Sequence, residues 1–115
     1  MGLFDRLRRR GRPGTRHAAS TADIDHLEQW AGARRGVEAY VEPRTTVTDI
    51  TVVLVAHDGE WTRRRVGSGA DAQRLGRRLG IPVYDVAKIG YPQRMRDYTA
   101  RQRILREREQ GADSP

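Results

Sequence analysis

The longest unbroken apolar run in this chain is Val52 to Ala56, inside a strand-like stretch from about Thr48 to His57. Apolar residues at adjacent positions leave a strand no polar face, so this one reads as central and covered on both sides. The run is far shorter than the roughly 18 residues a bilayer span requires, so no transmembrane helix is expected.

Directly after it, His57-Asp58-Gly59-Glu60 separates two strand-like segments, and Asp-Gly in that position favours a two-residue type I′ hairpin. With His57 opposite Glu60, Ala56 faces Trp61, Leu54 faces Arg63 and Val52 faces Arg65. Alternation along the third strand puts Trp61, Arg63 and Arg65 on one face and Thr62, Arg64 and Val66 on the other. Neither face is apolar, which predicts an edge strand whose arginines discourage edge-to-edge pairing. Upstream, Val37, Ala39 and Val41 alternate with Glu38, Tyr40 and Glu42, the period of a half-buried strand, and Pro43-Arg44 turns the chain.

Helices are marked by their ends. Ser20 and Asp23 have capping-box spacing, Ile24, Leu27 and Ala31 follow at helical intervals beside Trp30, and Gly36 is a natural stop. Ser68 and Asp71 repeat the box before Ala72, Leu75, Gly76 and Leu79, closed by Gly80. Ile81 to Ile89 then reads as a fourth strand, and the strand–helix–strand order predicts that the third and fourth strands run parallel. Pro92 suits the first turn of a last helix to about Glu109. Its apolar content, Met95, Tyr98, Ile104 and Leu105, is thin, so only its first two turns are expected to pack.

The expected fold is therefore α+β, with an N-terminal helix, a three-stranded antiparallel meander, a crossover helix, a fourth strand and a C-terminal helix. Residues 1–19 form a basic arm and linker, 20–99 one domain, and 100–115 a projecting helix end with a disordered tail. The segments Gly36-Val-Glu-Ala-Tyr-Val-Glu-Pro-Arg-Thr-Thr-Val-Thr, His57-Asp-Gly-Glu-Trp-Thr-Arg-Arg-Arg-Val, Leu79-Gly-Ile-Pro-Val-Tyr-Asp-Val and Gly90-Tyr-Pro-Gln-Arg-Met-Arg-Asp-Tyr resemble a group of small actinobacterial proteins without an assigned activity. The resemblance covers a little over half of the chain, and some members of the group carry an oxidoreductase label.

That label has one root in the residues. Gly67-Ser68-Gly69-Ala70-Asp71-Ala72 matches G-x-G-x-x-A between a strand and a helix, and Asp85 lies roughly where a ribose-binding acid would be. Against it, the preceding strand carries three arginines where a dinucleotide fold places a buried apolar strand, and the chain is too short for two mononucleotide-binding halves. The Ser68 cap explains the same residues. No cofactor is expected, although free amides at Gly67, Ser68 and Gly69 suit a lone anion.

No cysteine is present, which excludes thiol catalysis, disulfides and a zinc ribbon and leaves a cytoplasmic location as the expectation. The start is charged too early for a signal peptide, and Arg6 breaks the myristoylation pattern. Ser20 and Ser68 read as caps, so no nucleophile is assigned. Asp23, Asp25, His26 and Glu28 read as an acidic helix start and not as metal ligands.

Basic residues outnumber acidic ones by 22 to 15, yet residues 1–20 carry +5 of the net +7, and only Lys88 among the basic residues is lysine. Arginine suits planar, bidentate recognition of phosphate, while a GC-rich genome accounts equally well for the bias. Trp61 with Arg63 and Arg65 would place a stacking ring beside two phosphate or base contacts. Arg94, Arg101 and Arg108 repeat every seven residues and line one side of the last helix, near Tyr91, Arg96 and Tyr98. Arg6, Arg8, Arg9, Arg10 and Arg12 would add sequence-independent attraction to a polyanion.

The expected function is a non-enzymatic binding or adaptor protein whose partner is RNA or a nucleoprotein assembly such as the ribosome. Two alternatives stand beside it. One is an oxidoreductase-like or nucleotide-binding protein using the Gly67–Ala72 turn. The other is weak peripheral membrane contact, or docking to a protein partner, through Leu3, Phe4 and Leu7 on the basic arm. Structural roles compete for the same side chains: Trp61 as rim-of-core packing, Arg63 and Arg65 paired with Glu38 or Glu42, and Asp97 with Arg101 as an i,i+4 pair.

Overall fold

A computed structural model describes residues 20–112. In chain order the elements are α1 (Thr21–Gly32), β1 (Glu38–Glu42), β2 (Thr51–Val55), β3 (Trp61–Arg65), α2 (Gly69–Leu79), β4 (Val83–Asp85), α3 (Val86–Ile89) and α4 (Gln93–Ala112). The basic arm with Arg6, Arg8, Arg9, Arg10 and Arg12, and the tail from Asp113, lie outside the described residues.

The capping box at Ser20 forms in both directions. Ser20 Oγ accepts from the Asp23 amide at 3.0 Å, and the Asp23 carboxylate accepts from the Ser20 amide at 3.3 Å. Ser68 Oγ likewise accepts from the Asp71 amide at 3.1 Å and starts α2. The strands form one sheet in the order β3-β2-β1-β4. β1 and β3 pair antiparallel with β2, and β4 pairs parallel with β1. β3 and β4 are therefore parallel although two strands lie between them, which is what a crossover through α2 produces.

Val52 to Val55 of β2, and Ala56 directly after it, are buried, and the strand has a cover on each side. Leu27 and Trp30 of α1 and Ala72 and Leu75 of α2 pack with Ala39, Val52, Leu54 and Val66 on one face. Tyr40, Val53, Val55 and Met95 form the other core, joined by Trp61, Tyr84, Val86 and Tyr91. α2 lies close on β4 because Gly76 has no side chain: a Cβ there would stand 2.2 Å from a Val83 methyl carbon.

Four local expectations need correction. The hairpin loop has three residues, not two: the Ala56 amide donates to the Glu60 carbonyl at 2.8 Å, and the Gly59 amide to the Ala56 carbonyl at 3.0 Å. A type I′ turn needs positive φ at both central residues, whereas among the described residues only glycines have positive φ, Gly59 at 93°. The register therefore moves by one, with Trp61 opposite Val55, Thr62 opposite Leu54 and Arg63 opposite Val53. Trp61, Arg63 and Arg65 still share a face, but it is the face α4 covers.

The fourth strand is also shorter than expected. It ends at Asp85, whose Oδ1 accepts from the Ala87 amide at 2.8 Å and starts the unforeseen α3. α1 stops at Gly32, capped by Ala33, and Gly36 instead takes φ 64° in the turn to β1. Asp97 does not pair with Arg101: it accepts from Gln93 Nε2 at 3.0 Å, while Arg101 reaches the Asp58 carbonyl at 3.1 Å.

Candidate nucleic-acid interface

Alternation along β1 sends Glu38, Tyr40 and Glu42 to the α4 side of the sheet, where a purely apolar cover would leave two carboxylates stranded. Each instead collects donors. Glu42 accepts from Arg63 Nε at 2.6 Å and Nη2 at 2.9 Å, from Thr51 Oγ1 at 2.6 Å, and from the Tyr91 hydroxyl. Glu38 accepts from Arg94 Nη2 at 2.5 Å, Tyr40 at 3.0 Å and Tyr84 at 3.4 Å. Partial burial works to raise both carboxyls, but the hydrogen bonds and the guanidinium charges outweigh it and hold both below the usual carboxylate range. Burial, and then the neighbouring carboxylate, push the Tyr40 and Tyr91 hydroxyls up.

These contacts decide what the expected site residues do. Trp61, Arg63 and Arg65 share one face, but Arg63 is bound by Glu42, and Arg65 Nε stands 3.5 Å from Asp49. The Arg63 guanidinium lies 5.2 Å from the Trp61 ring centroid, a cation–π contact that covers part of the ring. Trp61 is half-buried, and its Nε1 donates to Thr99 Oγ1 at 3.0 Å. Arg94 and Arg101 tie α4 to the hairpin: Arg94 Nε donates to the Ala56 carbonyl at 3.0 Å and Arg101 to Asp58. Gly59 permits that approach, since a Cβ there would stand 2.0 Å from the Arg94 carbonyl oxygen. Arg108, one heptad on, is exposed.

Where α4 passes over the β3 edge, a groove of about 300 Å3 opens, lined by Trp61, Tyr98, Thr99, Gln102 and Arg106. Two aromatic rings form part of its wall, and Arg63 and Arg101 lie over those rings, the latter 5.9 Å from the Tyr98 centroid. Thr99, Gln102 and Arg106 were not among the expected site residues. The signal for them is the helical period itself: 95, 98–99, 102 and 106 fall on the same side of α4 as the buried Met95.

Other features do not converge in this way. Ser68 caps α2, and Asp85 caps α3 beside β4, three inter-strand steps from β3 or about 14 Å. A second cleft of about 480 Å3 is lined by the threonine-rich β1–β2 loop from Arg44 to Asp49, with Thr51 and Arg65. His26 of α1 shares a 2.7 Å hydrogen bond with Thr62 Oγ1, and burial followed by the Arg64 charge lowers its pKa. Among the described residues no group of three or more His, Cys, Asp or Glu could hold a metal ion, and no helix is long and apolar enough to cross a membrane. Comparison with protein families, curated proteins and solved structures finds no match.

Proposed function

We propose that this chain is a non-enzymatic protein that binds single-stranded RNA, with a base entering the groove between β3 and α4. The observation that carries this reading is the pairing of Trp61 and Tyr98 in one groove wall with Arg106 at its margin. Splayed bases are held on aromatic rings while arginines track the phosphates. The site is the helix-lined groove and not the open β3 face, because Glu42 and Asp49 already engage Arg63 and Arg65. Glu38 and Glu42 are engaged by arginine and tyrosine donors, which suits anchoring α4 beside the groove. Arg6, Arg8, Arg9, Arg10 and Arg12 add base-independent attraction in this reading.

The test is fluorescence anisotropy with a labelled single-stranded RNA and the full chain, at about 50 and about 200 mM salt. Arg106→Glu is expected to weaken binding about tenfold or more. Replacing the five arm arginines with glutamine is expected to flatten the salt dependence and spare groove binding. Binding that disappears with the arm charges and ignores Arg106→Glu would overturn the proposal.

A further inference from the structure

We infer that Thr99 is a positioning residue: its hydroxyl sets the Trp61 indole on which a base stacks, an inference that rests on the RNA-binding reading. The groove is composite, with Trp61 supplied by β3 and Tyr98, Thr99, Gln102 and Arg106 by α4. A half-buried tryptophan at the start of an edge strand has side-chain torsions to settle before its ring makes a platform, and ordering that is left to binding subtracts from affinity. Contacts at the edge and over the face of the ring settle them here. At the edge, Nε1 donates to Thr99 Oγ1 at 3.0 Å, a directed bond that crosses from strand to helix. Over the face, the Arg63 guanidinium stands 5.2 Å from the centroid, and both carboxylate oxygens of Glu42 hold it, at 2.6 and 2.9 Å. A cation–π contact tolerates turning of the ring beneath it, whereas indole has a single N–H, and its bond to Thr99 fixes which edge faces α4. The ring is therefore ordered by folding and not by the arrival of a base. Seating α4 does not depend on this bond, because Arg94 and Arg101 already tie the helix to the hairpin and Met95 is buried beneath it.

The test is a double-mutant cycle on affinity for a labelled single-stranded RNA, with the full chain and the salt held constant. Thr99→Val keeps the shape of the side chain, removes the acceptor, and is expected to weaken binding about threefold to tenfold. Thr99→Ser keeps the oxygen and should bind like the unaltered protein. In a Trp61→Phe background, which keeps a ring without an N–H, Thr99→Val should have no further effect. In nitrogen–proton correlation spectra the Trp61 indole resonance, assigned by its loss in Trp61→Phe, should move in Thr99→Val and return in Thr99→Ser. Unchanged affinity in Thr99→Val, with Arg106→Glu still weakening binding, overturns the role of Thr99 and leaves the groove reading standing. A loss that persists in the Trp61→Phe background, or that Thr99→Ser does not rescue, also overturns it, because the threonine then acts through the seating of α4 and not through the indole. An indole resonance that stays in place in Thr99→Val overturns it as well. An unaltered chain that binds no single-stranded RNA overturns the RNA-binding reading and this inference together.

Discussion

The two faces of the sheet are built from the same strands and held by different physics. Against α1 and α2 the sheet presents Ala39, Val52, Leu54 and Val66, and the contact is apolar side chain on apolar side chain. Against α4 it presents Val53 and Val55 under Met95, but beside them Glu38, Tyr40 and Glu42, where a set of arginines and tyrosines closes over two carboxylates. An apolar interface tolerates no misfit but needs no particular orientation; a polar one needs directed partners, and each missing donor leaves a carboxylate short. The first cover fixes the fold, whereas the second fixes where one long helix lies, and that helix supplies the groove.

The contrast breaks most visibly at Leu54, which is fully buried on the apolar face. Leu54→Ala should cost about 2–5 kcal/mol, read from the midpoint of urea unfolding. On the polar face, Arg94→Met should cost about 1–3 kcal/mol, because it strips Glu38 of its guanidinium and frees two backbone carbonyls. Equal losses from the two variants would show that the faces do not differ in kind.

A pH titration of stability separates the faces further. His26, on the α1 side, is lowered from 6.5, so the folded state prefers the neutral ring. Its contribution is complete above pH 6.5 and is lost as pH falls from there through the folded pKa. Glu38 and Glu42, on the α4 side, are lowered from 4.5, so their contribution is complete above pH 4.5 and is lost only as pH falls through their lower folded values. Stability should therefore decline in two stages on acidification. His26→Gln is expected to remove the upper stage and Arg94→Met to shrink the lower one.

How far the sequence could be read follows the same division. The capping box at Ser20, the N-cap at Ser68 (without the reciprocal bond from its own amide), the Val52–Ala56 run and the strand–helix–strand order all express local rules, and each appears in the fold where those rules put it. The α4 face depended on a single residue of register. With a two-residue turn, Trp61 would face the α1–α2 core; the negative φ of Asp58 and the three-residue loop place it under α4. Alternation marked Glu38 and Glu42 as one side of β1 and offered Arg63 as a partner, which pairs with Glu42, but the other partners, Tyr84, Tyr91 and Arg94, come from up to 56 residues away in the chain. The Arg94–Arg101–Arg108 heptad was legible as a stripe. That its first two members grip the hairpin was not, because it depends on Gly59 admitting the helix backbone.

The smallest effect is expected at the distal end of α4. Ile104 and Leu105 are 47% and 49% exposed, and the helix beyond Arg106 carries no described contact with the sheet. A helix that must stay formed there relies on its own backbone hydrogen bonds and on the anchored first turns, which act as its nucleus. Ile104→Ser should change unfolding free energy by no more than about 0.5 kcal/mol. A loss several times larger would mean that this half of α4 is held by residues outside 20–112 or by a second chain. If the change is small, substitutions at Arg106 can be read as effects on binding alone, because the helix bearing it is positioned from Met95 to Arg101.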